Sequence, residues 1–354
     1  MQYLVGLKRL GHEVTYVEDY GWEGSCYNPA SDEMTDDPSY GSKYLDKLLK
    51  PYALEKRWCF LAADGVAHGF SRAELAQLCR ESDLYITLSN MNSIPETGLC
   101  RRRILIDTDP VFTQIRGHGM DESFDKYHVL YTYGENIHQE GCSVPTAGMR
   151  WLPTRQPVVL DLWRTTHGNH NGPLTTIMNW SAYGDREHHG ITYGQKDRQF
   201  RAFFDLPKKV DQTMELAVDP PDQVAKQLQD GGWSIVDPKA QTITPTAFQD
   251  YIVRSKGEFS VAKHAYVVTC SGWFSDRSTG YLASGRPVIL QNTGFSRFLP
   301  CGEGLLAFDD EHSAETAILG LAVNYEDHCR AARKIAEEYF DSQKVLGELL
   351  ERSI

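Results

Sequence analysis

The stretch Cys270-Ser271-Gly272-Trp273-Phe274-Ser275-Asp276-Arg277-Ser278-Thr279-Gly280, continued by Tyr281-Leu282-Ala283-Ser284-Gly285-Arg286-Pro287-Val288, carries the densest chemistry in the chain. Its residue types predict a strand before it, then a polar turn, a short helix, a glycine stop and another strand. Ser275 suits an N-cap. The backbone N–H groups that follow it then leave the helix start with partial positive charge, where an anion such as a diphosphate can sit. Arg277 adds a formal charge, and Ser271 and Ser278 flank the turn with hydroxyls. Asp276 works against this reading, because a carboxylate in the first turn satisfies the same dipole with no ligand at all. A second loop, Gln291-Asn292-Thr293-Gly294-Phe295-Ser296, offers Thr293 and Gly294 at a strand's carboxyl edge, where a ligand can approach the backbone.

Other candidates are set by position. Lys196, in Gly194-Gln195-Lys196-Asp197, is either a phosphate partner or an ordinary solvated lysine. Asn179 and Trp180 end a strand and either border a cleft or open a loop with a packed indole. Asp109 and Glu135 each follow a predicted strand, so each can act as a base toward a hydroxyl or cap a following helix. Asp107 lies too early to share their face and reads as structural. The eight cysteines contain no CxxC pair, and His188-His189 and His167/His170 lack partners at ligand spacing, so no metal site is expected.

The elements that must hold these residues follow from periodicity. Tyr3, Leu4, Leu7 and Leu10 recur at helical spacing before Gly11, and a β-rich run over residues 12–17 comes next. A helix feeding straight into a strand is the second half of a βαβ unit, so a first strand with its Gly-rich turn is expected upstream of Met1. A helix is predicted over 71–83, and strands over 84–88, 103–107 and 127–133. Prolines 145, 153 and 157 break the pattern. Strands are predicted again over 174–178, 214–218, 233–236 and 266–269, with one or two amphipathic closing helices over 325–352. The chain therefore divides into an α/β half over 1–160, a second over 161–324 and a closing segment over 325–354.

At 354 residues the chain exceeds what one core usually serves. A net charge of -12 argues against general binding to nucleic acid or an anionic membrane. No apolar run reaches bilayer length and no secretory signal opens the chain, so a cytoplasmic protein is expected.

The run Leu282-Ala283-Ser284-Gly285-Arg286-Pro287-Val288, then Thr293-Gly294 and Gly302-Glu303-Gly304-Leu305-Leu306, resembles the donor half of GT-B glycosyltransferases. In that group an E-A-x-A-x-G-x-P-V helix and strand precede a glycine-containing loop and a G-x-x-G-L-L hairpin. The resemblance covers residues 173–340. It implies two Rossmann-like domains facing a cleft, with the acceptor mainly on the first and a nucleotide-sugar donor on the second. It also implies a metal-independent sugar transfer with no other cofactor, and places Asn179, Lys196, Ser271, Ser275, Asp276, Arg277, Ser278, Thr293 and Gly294 around the donor. Asp109 and Glu135 then become the candidate catalytic bases. One departure stands out: the family's acidic pair falls on Gly272 and Gly280, which leaves Asp276 and Arg277 on the intervening turn. Two rival readings remain, a nucleotide-sugar epimerase on the same architecture and a catalytically silent sugar- or nucleotide-binding protein.

Overall fold

A computed structural model describes residues 1–116, 124–146 and 148–354. The second half is built on one six-stranded parallel sheet. Across the sheet its strands run Ser234–Val236, Met214–Ala217, Leu174–Ile177, Gly257–Ser260, Val288–Gln291 and Leu305–Phe308. Numbered by their order in this half, that is 3-2-1-4-5-6, the doubly wound arrangement. The strand order reverses between Leu174–Ile177 and Gly257–Ser260, which lie side by side in parallel, and ligands of such sheets bind outside the carboxyl ends at that point. Strands buried on both faces explain the apolar runs: Val288, Ile289 and Leu290 are fully buried.

In the first half, Leu84–Leu88, Arg102–Asp107, Val129–Thr132 and Trp151–Pro153 form a four-stranded parallel sheet. Tyr16–Asp19 pairs in parallel with Trp58–Leu61, which pairs antiparallel with Ala67–Gly69. Among the described residues no strand pairs with the second edge of Tyr16–Asp19 or of Leu84–Leu88. The two sheets meet through Asn92 instead: its Oδ1 accepts from the Asp19 amide at 3.3 Å and its Nδ2 donates to the Val17 carbonyl at 3.5 Å.

Several sequence expectations hold with small shifts at the ends. Helix Gln2–Arg9 stops before Gly11, whose φ of +92° suits a C-terminal cap. Helix Arg72–Glu81 starts at a capping box in which Ser71 accepts from the Glu74 amide. One expectation fails: residues 266–269 lie in and just after helix His264–Val268, and the strand of that region is Gly257–Ser260. The closing segment has two α-helices, within the expectation of one or two, Tyr325–Ile335 and Ser342–Ser353, joined by a π-helical turn at Ala336–Phe340.

That last helix returns to the first half. Leu346 and Leu349 join its core with Ile104, Ile106 and Tyr131, and the hydroxyls of Tyr131 and Ser353 lie 2.9 Å apart. Gly6 permits the contact, since a Cβ there would stand 2.5 Å from Leu346 Cδ1. Where the chain passes between halves, the Val158 amide donates to the Phe340 carbonyl at 2.7 Å and the Ser342 amide to the Val158 carbonyl at 2.9 Å. Among the described residues, no helix is long and apolar enough to cross a membrane.

Candidate functional site

The carboxyl edges of the two sheets face each other, and their loops touch. Asp109 leaves strand Arg102–Asp107 and Lys263 leaves strand Gly257–Ser260. Lys263 Nζ donates to both Asp109 oxygens, at 2.9 and 3.0 Å. The hydroxyls of Tyr183 and Tyr266 also donate to Asp109, and Lys263 Nζ lies 3.0 Å from the Tyr183 hydroxyl. The ammonium sits over the rings of Tyr183 (4.7 Å), Phe112 (4.9 Å) and Tyr266 (5.4 Å), an aromatic cage for a cation. Burial pulls the Lys263 amine down from its usual range, and the Asp109 carboxylate pulls it partly back.

Beside this cluster, Arg277 Nε donates to Glu258 Oε1 at 3.1 Å and Nη2 to the Ser260 hydroxyl at 3.0 Å. Glu258 is fully buried, and its second oxygen has no hydrogen-bond partner. Lys196 stands at the start of the short helix Lys196–Phe200 and is buried. Burial first, then Arg277, and less strongly Lys263, push its amine well below the usual lysine range, while Glu258 opposes them. Three cations, Lys196, Lys263 and Arg277, thus meet the carboxylates of Asp109, Glu258 and Asp276 around the switch point.

Helix Asp276–Ala283 begins at the same place. Ser275 occupies the N-cap position with extended backbone, yet its hydroxyl makes no cap hydrogen bond, and the buried Ser278 hydroxyl has no partner. The helix start thus keeps unsatisfied donors. Asp276 is hemmed in by protein while its own surface remains open to solvent, the situation of a cleft wall. Burial pushes its carboxyl up to about 6, against the pull of Gln156 and Arg277.

The other sequence candidates divide. Asn179 is exposed just past the end of strand Leu174–Ile177, and Trp180 packs edge-on to Phe200. Ser271 is buried, its Oγ accepting from the Trp273 amide at 3.3 Å, and Thr293 Oγ1 donates to the Trp273 carbonyl at 2.5 Å. Gly294 (φ +94°) lets Asn136 pass: a Cβ would lie 2.2 Å from Asn136 Nδ2. Gly294 and the Ser271 carbonyl, which accepts from the Asn136 amide at 3.0 Å, therefore join the halves, while Thr293 bonds within the second. Glu135 is held by Arg155 through two bonds of 2.7 and 2.8 Å, and the guanidinium packs on Tyr339. Asp107 is buried and accepts from Gln114 (2.8 Å), Thr132 (2.7 Å) and the Asp109 amide (2.8 Å), a structural carboxylate as expected.

Gly272 and Gly280, at the positions where the resemblance sets an acidic pair, have a packing reason. A Cβ on Gly280 would stand 2.6 Å from Trp163 Cη2, and one on Gly272, where φ is +77°, 2.6 Å from the Asn136 amide nitrogen. Neither position has room for a carboxylate. Among the described residues no group of three or more His, Cys, Asp and Glu side chains gathers at ligand distance.

Sequence reasoning missed Lys263, Tyr183, Tyr266 and Glu258. A charged residue inside a buried strand hid Gly257–Ser260, and with it the lysine at its carboxyl end.

Two Rossmann-like units with facing carboxyl edges and a closing helix that returns to the first define the GT-B fold, and comparison with solved structures agrees. AviGT4, a glycosyltransferase involved in avilamycin A biosynthesis, superposes with a TM-score of 0.56 at 12% identity, over 99% of this chain and 87% of its own. Anabaena HepE in complex with UDP gives 0.53 at 11% identity, over 96% and 99%. Sucrose-phosphate synthase from Thermosynechococcus elongatus gives 0.52 at 10% identity, over 96% and 99%. No protein-family model and no curated protein matches the sequence.

Proposed function

We propose that the protein is a glycosyltransferase that takes a sugar from a nucleoside-diphosphate donor held on its second domain and passes it to an acceptor on its first. The observation that carries this reading is the convergence of Lys196, Lys263 and Arg277 at the switch point, beside a helix start with free donors. A diphosphate leaving group develops negative charge as the glycosidic bond breaks, and fixed cations in a closed cleft stabilise it. In that role the three side chains and the backbone after Ser275 stand in for a divalent metal. HepE, of the same fold, has been crystallised with UDP and with UDP-glucose, which makes uridine nucleotides the first probes.

Asp109 is the better base of the two carboxylates, because it lies beside the cations, whereas Glu135 is committed to Arg155. Lys196 and Arg277 take the phosphates, Ser275, Asp276 and Ser278 border them, and Asn179 lines the rim. Ser271, Thr293 and Gly294 shape the floor. The free thiols and the sugar-nucleotide donor suit the cytoplasm.

A second reading, a silent nucleotide-binding protein, is favoured by Gly272 and Gly280. Isothermal titration with UDP, GDP and ADP, followed by a donor-hydrolysis assay, separates the two. Binding with release of free sugar supports a transferase; binding without turnover supports the silent reading, and no binding sinks both.

A further inference from the structure

We infer that Asp109 and Lys263 form a latch across the cleft that the donor diphosphate opens, so that donor binding frees the base. This rests on the nucleotide-sugar reading above and adds an order of events to it.

The latch is a competition for one cation. Lys263 is the partner of Asp109, and it follows by three residues Ser260, whose hydroxyl accepts from Arg277 at 3.0 Å, while Lys196 lies in the field of both Arg277 and Lys263. Its cage of Phe112, Tyr183 and Tyr266 holds the ammonium at the boundary between the two halves. Asp109 meanwhile accepts from Lys263 at both oxygens and from two tyrosine hydroxyls. A carboxylate bonded that fully has no lone pair directed at an acceptor, so it is a poor base until a donor leaves it. A diphosphate carries more charge than one carboxylate and approaches three cations at once, so it is the stronger claimant for Lys263. When the ammonium turns to it, Asp109 keeps only the tyrosine bonds and gains an open position toward the acceptor. Water reaching the site before the donor then meets no active base.

Each partner predicts an opposite effect on nucleotide affinity. Asp109→Asn removes the competitor and leaves Lys263 buried and unpaired, so UDP, or whichever of UDP, GDP and ADP the wild type prefers, should bind about tenfold tighter, a step of about 1.4 kcal/mol. Lys263→Met should weaken binding about tenfold or more. In the double variant the tightening should vanish, since there is no cation left to release. A merely structural role for Asp109 predicts weaker binding in every variant. Asp109→Ser, which also leaves the ammonium unpaired, repeats the comparison should the amide disturb folding. Titration calorimetry on the full chain decides among these. Failure of the wild type to bind any of the three nucleotides overturns the donor reading itself, whereas wild-type binding with unchanged or weaker affinity in Asp109→Asn overturns the latch alone.

Discussion

Arg277 Nε lies 3.1 Å from the carboxylate of Glu258, whose side chain has no exposure to solvent. The guanidinium therefore has two duties, neutralising a buried charge and facing the cleft. Arg277→Ala should cost about 3–5 kcal/mol of stability, the usual penalty for stranding a buried charge. It should also weaken nucleoside-diphosphate binding by about 1.5–3 kcal/mol. Arg277→Ala combined with Glu258→Gln should recover most of the stability and none of the affinity. Urea melts and calorimetry on the two variants and the wild type test this, and wild-type affinity in the folded double variant removes Arg277 from the site.

In the proposed function Lys196 binds phosphate at the expense of stability. Its folded amine is depressed, so the buried charge costs stability below the folded pKa, and the cost fades as pH rises from there toward the ordinary value of about 10.4. Lys196→Met should melt higher at pH 6, by about 2–4 °C for each kcal/mol recovered, with the gap narrowing in alkali. The same variant should bind nucleotide more weakly. A lower melting temperature with unchanged binding would show an ordinary structural lysine.

For Asp276 the sign is reversed. With its carboxyl raised to about 6, the folded protein keeps a proton that the unfolded chain loses near 3.9. Charge on Asp276 therefore costs stability above pH 6, and that cost disappears below about pH 4. Asp276→Asn should be the more stable protein at pH 7.5, should match wild type at pH 4, and should bind diphosphate more tightly at neutral pH. Thermal melts at both pH values check the first part; equal curves at pH 7.5 contradict it.

Sugar transfer or donor hydrolysis should proceed at full rate in EDTA, since fixed cations carry the leaving-group charge. Loss of activity in chelator with recovery on adding magnesium or manganese would contradict this.

The two halves were legible to different depths in the sequence. Val288, Ile289 and Leu290 announce a buried strand through an unbroken apolar run, and Ser71 with Glu74 announces a helix start through a local bond pattern. Gly257-Glu258-Phe259-Ser260 announces nothing, because its charge is cancelled by Arg277, nineteen residues further on and across a helix start. Tyr266-Val267-Val268-Thr269 shows the opposite failure. Its β-branched residues favour a strand, but Lys263 and the packing of Ala265 and Tyr266 beneath the first domain make it a helix. The helix start at Ser275 and the nearby Arg277, proposed above as an anion site, could be read locally. The Asp109–Lys263 contact could not, since 154 positions separate the two residues and only the closure of the halves joins them.

The paired backbone between Val158 and Ser342 bears on how the two halves move. Two chain crossings bonded to each other behave as a single ribbon, so the halves cannot twist freely about two separate tethers. What remains is a book-like rotation about one axis, with the spine at that ribbon and the pages meeting at Asp109 and Lys263. A change in the spine, far from Asp109 and Lys263, would then set how wide the pages open.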